Sequence, residues 1–321
     1  MPSELGFGQE GAVIVNRRGL FVLVAGLGLA SAAPASASPK ASAVEVCRGP
    51  GAVVVNSATG GVYVAGDDGT LTILNERDVQ VGQAGNVAVD ESTGRVYVTN
   101  RGAGTVAVLE ANGDPRSMVP CGPGATAPAV DAETGKLYVG SASAGCVAVV
   151  DTVASVVDAV LSSPVRGFEA MCVNPGPQVG YLTSPATNTV EVLDLASGKF
   201  TASVPVGKAP TGLAVHEASN TVYVANSGIH HLSVVDGDSR TERATILLRS
   251  EASSVAVHQA SHTVYTNGGP DGIVKIDGAT GAITGELSLG INPGQVAVHQ
   301  RTGTVYVTDP VHDLLHVITD F

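Results

Sequence analysis

From Val44 onward the chain is built of short runs in which apolar and polar residues alternate, broken by Gly, Asn, Asp and Ser. A period of two puts alternate side chains on opposite faces of an extended strand, and the interrupting residues are turn formers. One stretch shows the unit in full. Leu213 to His216 reads as a short apolar strand and Glu217 to Asn220 as a polar turn. Thr221 to Asn226 is a second strand, with Val222 and Val224 on one face and Tyr223 on the other. Leu232 to Asp236 follows a Gly-containing loop as a third strand, and Ala244 to Leu248 forms a less regular fourth.

The unit recurs along the chain. Tyr63, Tyr97, Tyr138, Tyr181, Tyr223, Tyr265 and Tyr306 are separated by 34, 41, 43, 42, 42 and 41 residues, and the clearest surrounding copies are Val96 to Asn100, Val222 to Asn226 and Val305 to Asp309. The turns between first and second strands repeat as well, at Asp90 to Gly94, Asp131 to Gly135 and His299 to Gly303. Four short strands in a period of about 40 to 45 residues predict an all-β chain, a seven-bladed β-propeller of four-stranded antiparallel blades. The last copy stops at Phe321, just after its third strand, Leu314 to Ile318. Val44 to Ala52 is similar to Val204 to Gly212, which joins a fourth strand to the next blade. Val44 to Cys47 is therefore predicted to complete the seventh blade and close the ring, removing an open sheet edge.

The Tyr-Val-Thr-Asn at Tyr97 to Asn100 resembles the repeat of the YVTN β-propeller family, and the resemblance runs from Val44 to Phe321. Two copies depart from it: Tyr265-Thr-Asn267 is one residue short, and Tyr63-Val-Ala-Gly66 lacks the polar ending. The resemblance implies an exported or cell-surface protein. It does not choose between an enzyme and a passive binding surface, because propellers host both.

Three segments are expected: a signal peptide at 1–37, a short linker at 38–43 and the propeller at 44–321. Arg17 and Arg18 precede the uncharged apolar run Gly19 to Ala33, and Pro34-Ala-Ser-Ala37 offers a small-residue cleavage site. That order is the pattern of a secretory signal, and the paired arginines resemble a twin-arginine signal of bacterial export. The apolar run is shorter than the roughly 20 residues needed to cross a bilayer, so no membrane span is expected after cleavage. Removal of 1–37 leaves 284 residues, about 41 per blade.

Charge and cysteines narrow the partners. The net charge is −12 without basic clusters, which disfavours nucleic acid and favours cations or cationic ligands. The absence of Trp weighs against a sugar-stacking surface. Cys47, Cys121, Cys146 and Cys172 have no CxxC spacing. Cys121 and Cys146 fall where neighbouring blades could meet, which leaves two readings, a Cys121–Cys146 disulfide or buried free thiols.

Candidate chemistry gathers on the rim formed by the loops that join strand two to three and strand four to the next blade. Blades 2 to 4 offer small residues there, such as Ser141 to Gly145 and Ser184 to Thr187. Blades 5, 6, 7 and 1 offer His230, His231, Glu251, Asp271, Asp309, His312, Asp313, Asp67 and Asp68 as one arc. Histidine with carboxylates serves acid–base work or a divalent cation, so His312 and His230 are the catalytic candidates and Asp271 and Asp309 the metal candidates. The alternative for these loops is plain solvation, and His231 can equally begin the third strand of its blade. A second set, His216, His258 and His299, occupies equivalent turn positions in blades 5 to 7, and turn capping is the expected role. The sequence thus supports a secreted monomeric binding module for a protein or small-molecule ligand, with no cofactor required. The alternative is a metal-assisted lyase or hydrolase on the same arc, using a divalent cation.

Overall fold

The computed structural model describes residues 38–321. The signal peptide expected at 1–37 lies outside the described residues. Residues 38–321 form seven four-stranded antiparallel sheets, the blades of a propeller. Blade 1 spans 50–80, blade 2 87–120, blade 3 125–162, blade 4 171–205, blade 5 210–247 and blade 6 255–288. In each of these the strands lie in sequence order. Blade 1 is compact, with third and fourth strands of only four residues each, Thr70–Ile73 and Arg77–Gln80, which accounts for the short first tyrosine interval.

Blade 7 closes the ring. Its sheet runs Lys40–Glu45, Leu314–Thr319, Val305–Asp309, Val296–Val298. Lys40 pairs with Thr319 and Glu45 with Leu314 across an antiparallel ladder. The closing strand therefore begins and ends earlier than the Val44 to Cys47 expected, and residues 40–43 are strand rather than linker. Its side chains are nearly all exposed, so backbone pairing rather than an apolar face forms it, and alternation does not mark its start. Cys47 instead turns inward and is buried at the junction with blade 1.

The core is not central. The buried apolar residues fall into seven clusters among the described residues, each drawn from two neighbouring blades. Every repeat tyrosine belongs to the cluster its blade shares with the next, from Tyr63 between blades 1 and 2 to Tyr306 between blades 7 and 1. The phenol hydroxyls of Tyr63, Tyr181, Tyr223 and Tyr265 reach across the same seams, whereas that of Tyr97 is buried without a hydrogen-bond partner among the described residues. Tyr63 donates to Ala111 O at 3.0 Å, Tyr181 to Asn220 Oδ1 at 2.8 Å and Tyr223 to Gly278 O at 2.7 Å. A tyrosine fits this position because its ring fills the apolar seam while its hydroxyl satisfies a polar group of the next blade.

Candidate functional site

The repeat's closing Asn, Asp or Ser shapes the upper rim. Asp309 Oδ1 accepts the amides of Val311 and His312 at 3.2 and 3.3 Å, and Ser141 Oγ accepts those of Ser143 and Ala144 at 3.2 and 2.7 Å. Asn100 Oδ1 does the same for the amide of Ala103 at 2.9 Å. Such short polar side chains fold the loop back on itself and fix what stands at its tip.

Between blades 5 and 6 these loops enclose an open cleft of about 380 Å³, lined among others by Ser227, His230, Glu251, Asn267, Pro270 and Asn292. His230 and Glu251, two members of the expected arc, thus face one cavity. Asn267 braces its floor: Oδ1 accepts the amides of Ser253 and Ser254 at 3.0 Å, while Nδ2 donates to Pro293 O at 3.0 Å and Gly294 O at 2.8 Å. The shortened Tyr265-Thr-Asn267 copy therefore aims its Asn at the connections before and after blade 6 rather than at its own loop between strands two and three. Asp271 stands beside this cleft, where its Oδ2 accepts from Ser288 Oγ at 2.6 Å. His231 begins the third strand of blade 5 and does not line the cleft.

A second group forms at the seam of blades 7 and 1. Asp309 is 1% exposed and its Oδ2 lies 2.7 Å from His312 Nδ1, whose side chain is 59% exposed. His316 Nε2 approaches the same oxygen at 3.6 Å. Burial raises the Asp309 pKa, but hydrogen bonds from the His312 ring and from the His312 and Val311 amides outweigh it and hold the carboxyl below its usual range. The ionised carboxylate accepts a hydrogen bond from His312 Nδ1 and fixes the orientation of the largely exposed ring. Asp313 instead anchors the incoming chain. Its Oδ1 accepts from Gly49 N at 2.8 Å and its backbone oxygen from Val46 N at 3.1 Å. Asp67 crowds the same glycine, which has a φ of 56° and lies so close that a β-carbon there would collide with the carboxylate. Asp68 closes its own turn by accepting Thr70 N at 2.9 Å. The arc is thus two groups, the 5–6 cleft and the 7–1 seam, with Asp271 and Asp68 engaged locally.

Sequence reasoning overlooked the mouth of the central channel. A cavity of about 200 Å³ there is lined among others by Asn86, Glu169, Ser254 and Gln295. Gln295 donates to Asn86 Oδ1 at 3.2 Å and accepts from Val53 N at 3.3 Å, while Asn86 donates to Glu169 O at 3.4 Å. Blades 7, 1, 2 and 4 are tied together in this way. Arg101 Nη2 stands 3.3 Å from Glu169 Oε1 on the rim above. The available signal is positional: Asn86 and Gln295 each directly precede the first strand of a blade, where a side chain meets the channel.

Of the lower-rim histidines only His299 caps its turn by accepting a backbone amide, while His216 and His258 bond a turn hydroxyl and also stitch blades. His216 Nδ1 accepts from Ser219 Oγ at 2.8 Å, and its Nε2 donates to Gln259 O at 3.1 Å. His258 repeats this with Ser261 at 2.7 Å and Gln300 O at 3.0 Å. His299 Nδ1 accepts from Arg301 N at 3.2 Å.

The Cys121–Cys146 disulfide is not formed, and all four cysteines carry free thiols. Cys121 is packed into the apolar cluster of blades 2 and 3, and burial pushes its thiol up to about 12. Among the described residues no three His, Cys, Asp or Glu side chains are grouped to hold a metal ion, and no helix is long and apolar enough to cross a membrane.

Fold and rim together define a seven-bladed propeller whose upper face carries an open polar cleft and a histidine–aspartate pair. No protein-family model and no curated protein matches the sequence.

Proposed function

We propose that this protein is an exported, YVTN-type propeller that works as a binding module, taking a cationic ligand or a basic segment of a partner protein on the upper rim of blades 5, 6, 7 and 1. The cleft of about 380 Å³ that holds His230 and Glu251 carries this reading. Asp271 stands beside it, and Asp313, Asp67 and Asp68 stand further along the same rim at the seam of blades 7 and 1, on a chain of net charge −12. Like charge of this density repels anions and raises the local concentration of cations. Ile229 at 40% and Val311 at 71% exposure add apolar contacts at two loop tips of the same face. Such a mixture of a few apolar anchors with a charged surround is the usual make-up of a recognition surface. Export rests on Arg17, Arg18 and the apolar run that follows them.

A panel of short fluorescent peptides, lysine-rich, neutral and acidic, tests the reading by polarisation. The lysine-rich peptide is expected to bind and to weaken as salt rises. Glu251→Gln and Asp271→Asn should each lower its affinity several-fold, whereas Glu242→Gln, on the outer strand of blade 5, should not. Equal binding of all three peptides, or none at all, would sink it.

One observation favours a second reading, an acid–base enzyme. The 2.7 Å contact between buried Asp309 and exposed His312 orients an imidazole at the rim, the pairing a general base uses. An enzyme would lose turnover in His312→Asn at unchanged melting temperature. A binding module would keep its affinity in that variant.

A further inference from the structure

In the seams of blades 1–2 and 5–6 the repeat tyrosine donates to a carbonyl in the next blade's turn between third and fourth strands, Ala111 O and Gly278 O. The corresponding turn of blade 4 is 195–198. Tyr138 and that turn instead line an open cavity of about 400 Å³ on the lower outer edge of blades 3 and 4. Its floor is apolar, made by Val149 and Leu161 of blade 3 and Leu195 of blade 4. Gly198, at a φ of 67°, brings the turn so close that a β-carbon there would lie 2.9 Å from Leu161 Cδ2, so the turn packs on the floor as a wall.

Polar groups stand around this floor. Gln178 holds a turn position, three residues before the repeat tyrosine, that is glycine in blades 1, 2, 3 and 7, and it keeps the left-handed backbone with a φ of 54°. Its Nε2 donates to Asp131 Oδ2 at 3.1 Å and to Pro175 O at 2.8 Å. Both amide protons are thus used, and Oε1 is left to accept. Lys136 Nζ lies 3.2 Å from Asp151 Oδ2 and also pairs with Asp158. Two carboxylates on one ammonium leave one negative charge in excess, and Asp158, exposed on the outer strand of blade 3, is the carboxylate that lines the cavity. Because Asp151 retains Lys136, Asp158 can turn to a second cation without leaving the lysine unpaired, and an exposed ion pair holds its members only weakly.

We propose that the seam of blades 3 and 4 binds a small organic amine with a bulky hydrocarbon body. The body rests on Val149, Leu161 and Leu195, and the ammonium donates to Asp158 and to Gln178 Oε1. The volume falls within the roughly 300–1,000 Å³ of small-molecule sites. An anion would meet the excess carboxylate, and a lysine side chain would leave most of the space unfilled. The site lies on the rim opposite the arc of blades 5 to 1 and stands independently of binding there.

The test is equilibrium dialysis of the full chain against naphthylmethylamine, naphthylmethanol and naphthylacetate, which share a body and differ in charge. The chain has no Trp, so naphthyl fluorescence reports the bound ligand cleanly. The amine is expected to bind saturably, and the alcohol and the acid about tenfold more weakly or worse. Asp158→Asn should weaken the amine by about tenfold and erase its advantage over the alcohol. Ala159→Phe, at an exposed position that lines the cavity, should fill the space and abolish binding. Should that variant not fold, Asp158→Asn carries the test. Glu251→Gln, in the cleft of blades 5 and 6, should change nothing here. The proposal is overturned if the amine shows no saturable binding at millimolar concentration, if all three ligands bind alike, or if binding survives Asp158→Asn and Ala159→Phe. It is equally overturned if binding is lost in Glu251→Gln and kept in Asp158→Asn, because the amine would then sit in the upper cleft.

Discussion

A single tyrosine shows how one residue type closes each seam. Tyr223 fills the apolar cluster of blades 5 and 6, donates to Gly278 O at 2.7 Å and meets His262 Nε2 at 2.8 Å. Tyr223→Phe leaves the ring in place and strips a buried carbonyl of its donor, so a loss of about 1–3 kcal/mol is expected in urea unfolding. His262 in turn stacks on His216, with ring centroids 3.6 Å apart and planes 5° from parallel. Burial, then the neighbouring His216 and Arg243, hold the His262 pKa below its usual value. The unfolded chain therefore takes up this proton at a higher pH than the folded one. Stability from this group is complete above about pH 6.5 and falls as the pH drops below it. His299, lowered by burial and by Arg301, acts in the same direction. Unfolding midpoints measured at descending pH should show this acid limb, and His262→Gln should flatten it. An unchanged limb would place the sensitivity elsewhere.

At the scale of elements, the closing strand divides its work in two. Lys40–Glu45 contributes backbone pairing from a nearly fully exposed position. Residues 46–49 contribute the buried clasp: Val46 N to Asp313 O at 3.1 Å, Cys47 N to Thr72 Oγ1 at 2.9 Å and Gly49 N to Asp313 Oδ1 at 2.8 Å. A chain that begins at Lys40 is expected to melt like the parent. One that begins at Val46 should lose on the order of 3–5 kcal/mol, or roughly 10 °C, and one that begins at Gly49 more still. Identical melting of all three would refute ring closure as a stabilising device. The same division explains what could be read in advance. Val44 and Val46 resemble the end of other fourth strands, so the closure was legible. The first residues of the strand, Lys40 to Ala43, carry no alternation because neither face is buried, so its start was not.

For the molecule as a whole, the ring was legible because interblade packing demands the same residue at the same place in every blade. The tyrosine interval is that demand written along the chain. The rim was legible only where partners are close in sequence, as with Asp309 and His312 in one loop. Gln295 and Asn86 meet across 209 residues, and Asn86 and Glu169 across 83, so only the closed ring brings them together. The repeat position of His216 and His258 points to their turns, but their second nitrogens bond to the following blade, which no local pattern encodes. The ring therefore leaves its lower turns and seams largely engaged in holding blades together, and its upper rim on blades 5 to 1 free to meet a partner. Hydrogen–deuterium exchange with and without a saturating oligolysine peptide tests that division most directly. Protection confined to residues 227–231, 249–253, 267–271 and 309–313 is the expected result. Protection of the lower turns, such as 237–240, or no change anywhere, would contradict it.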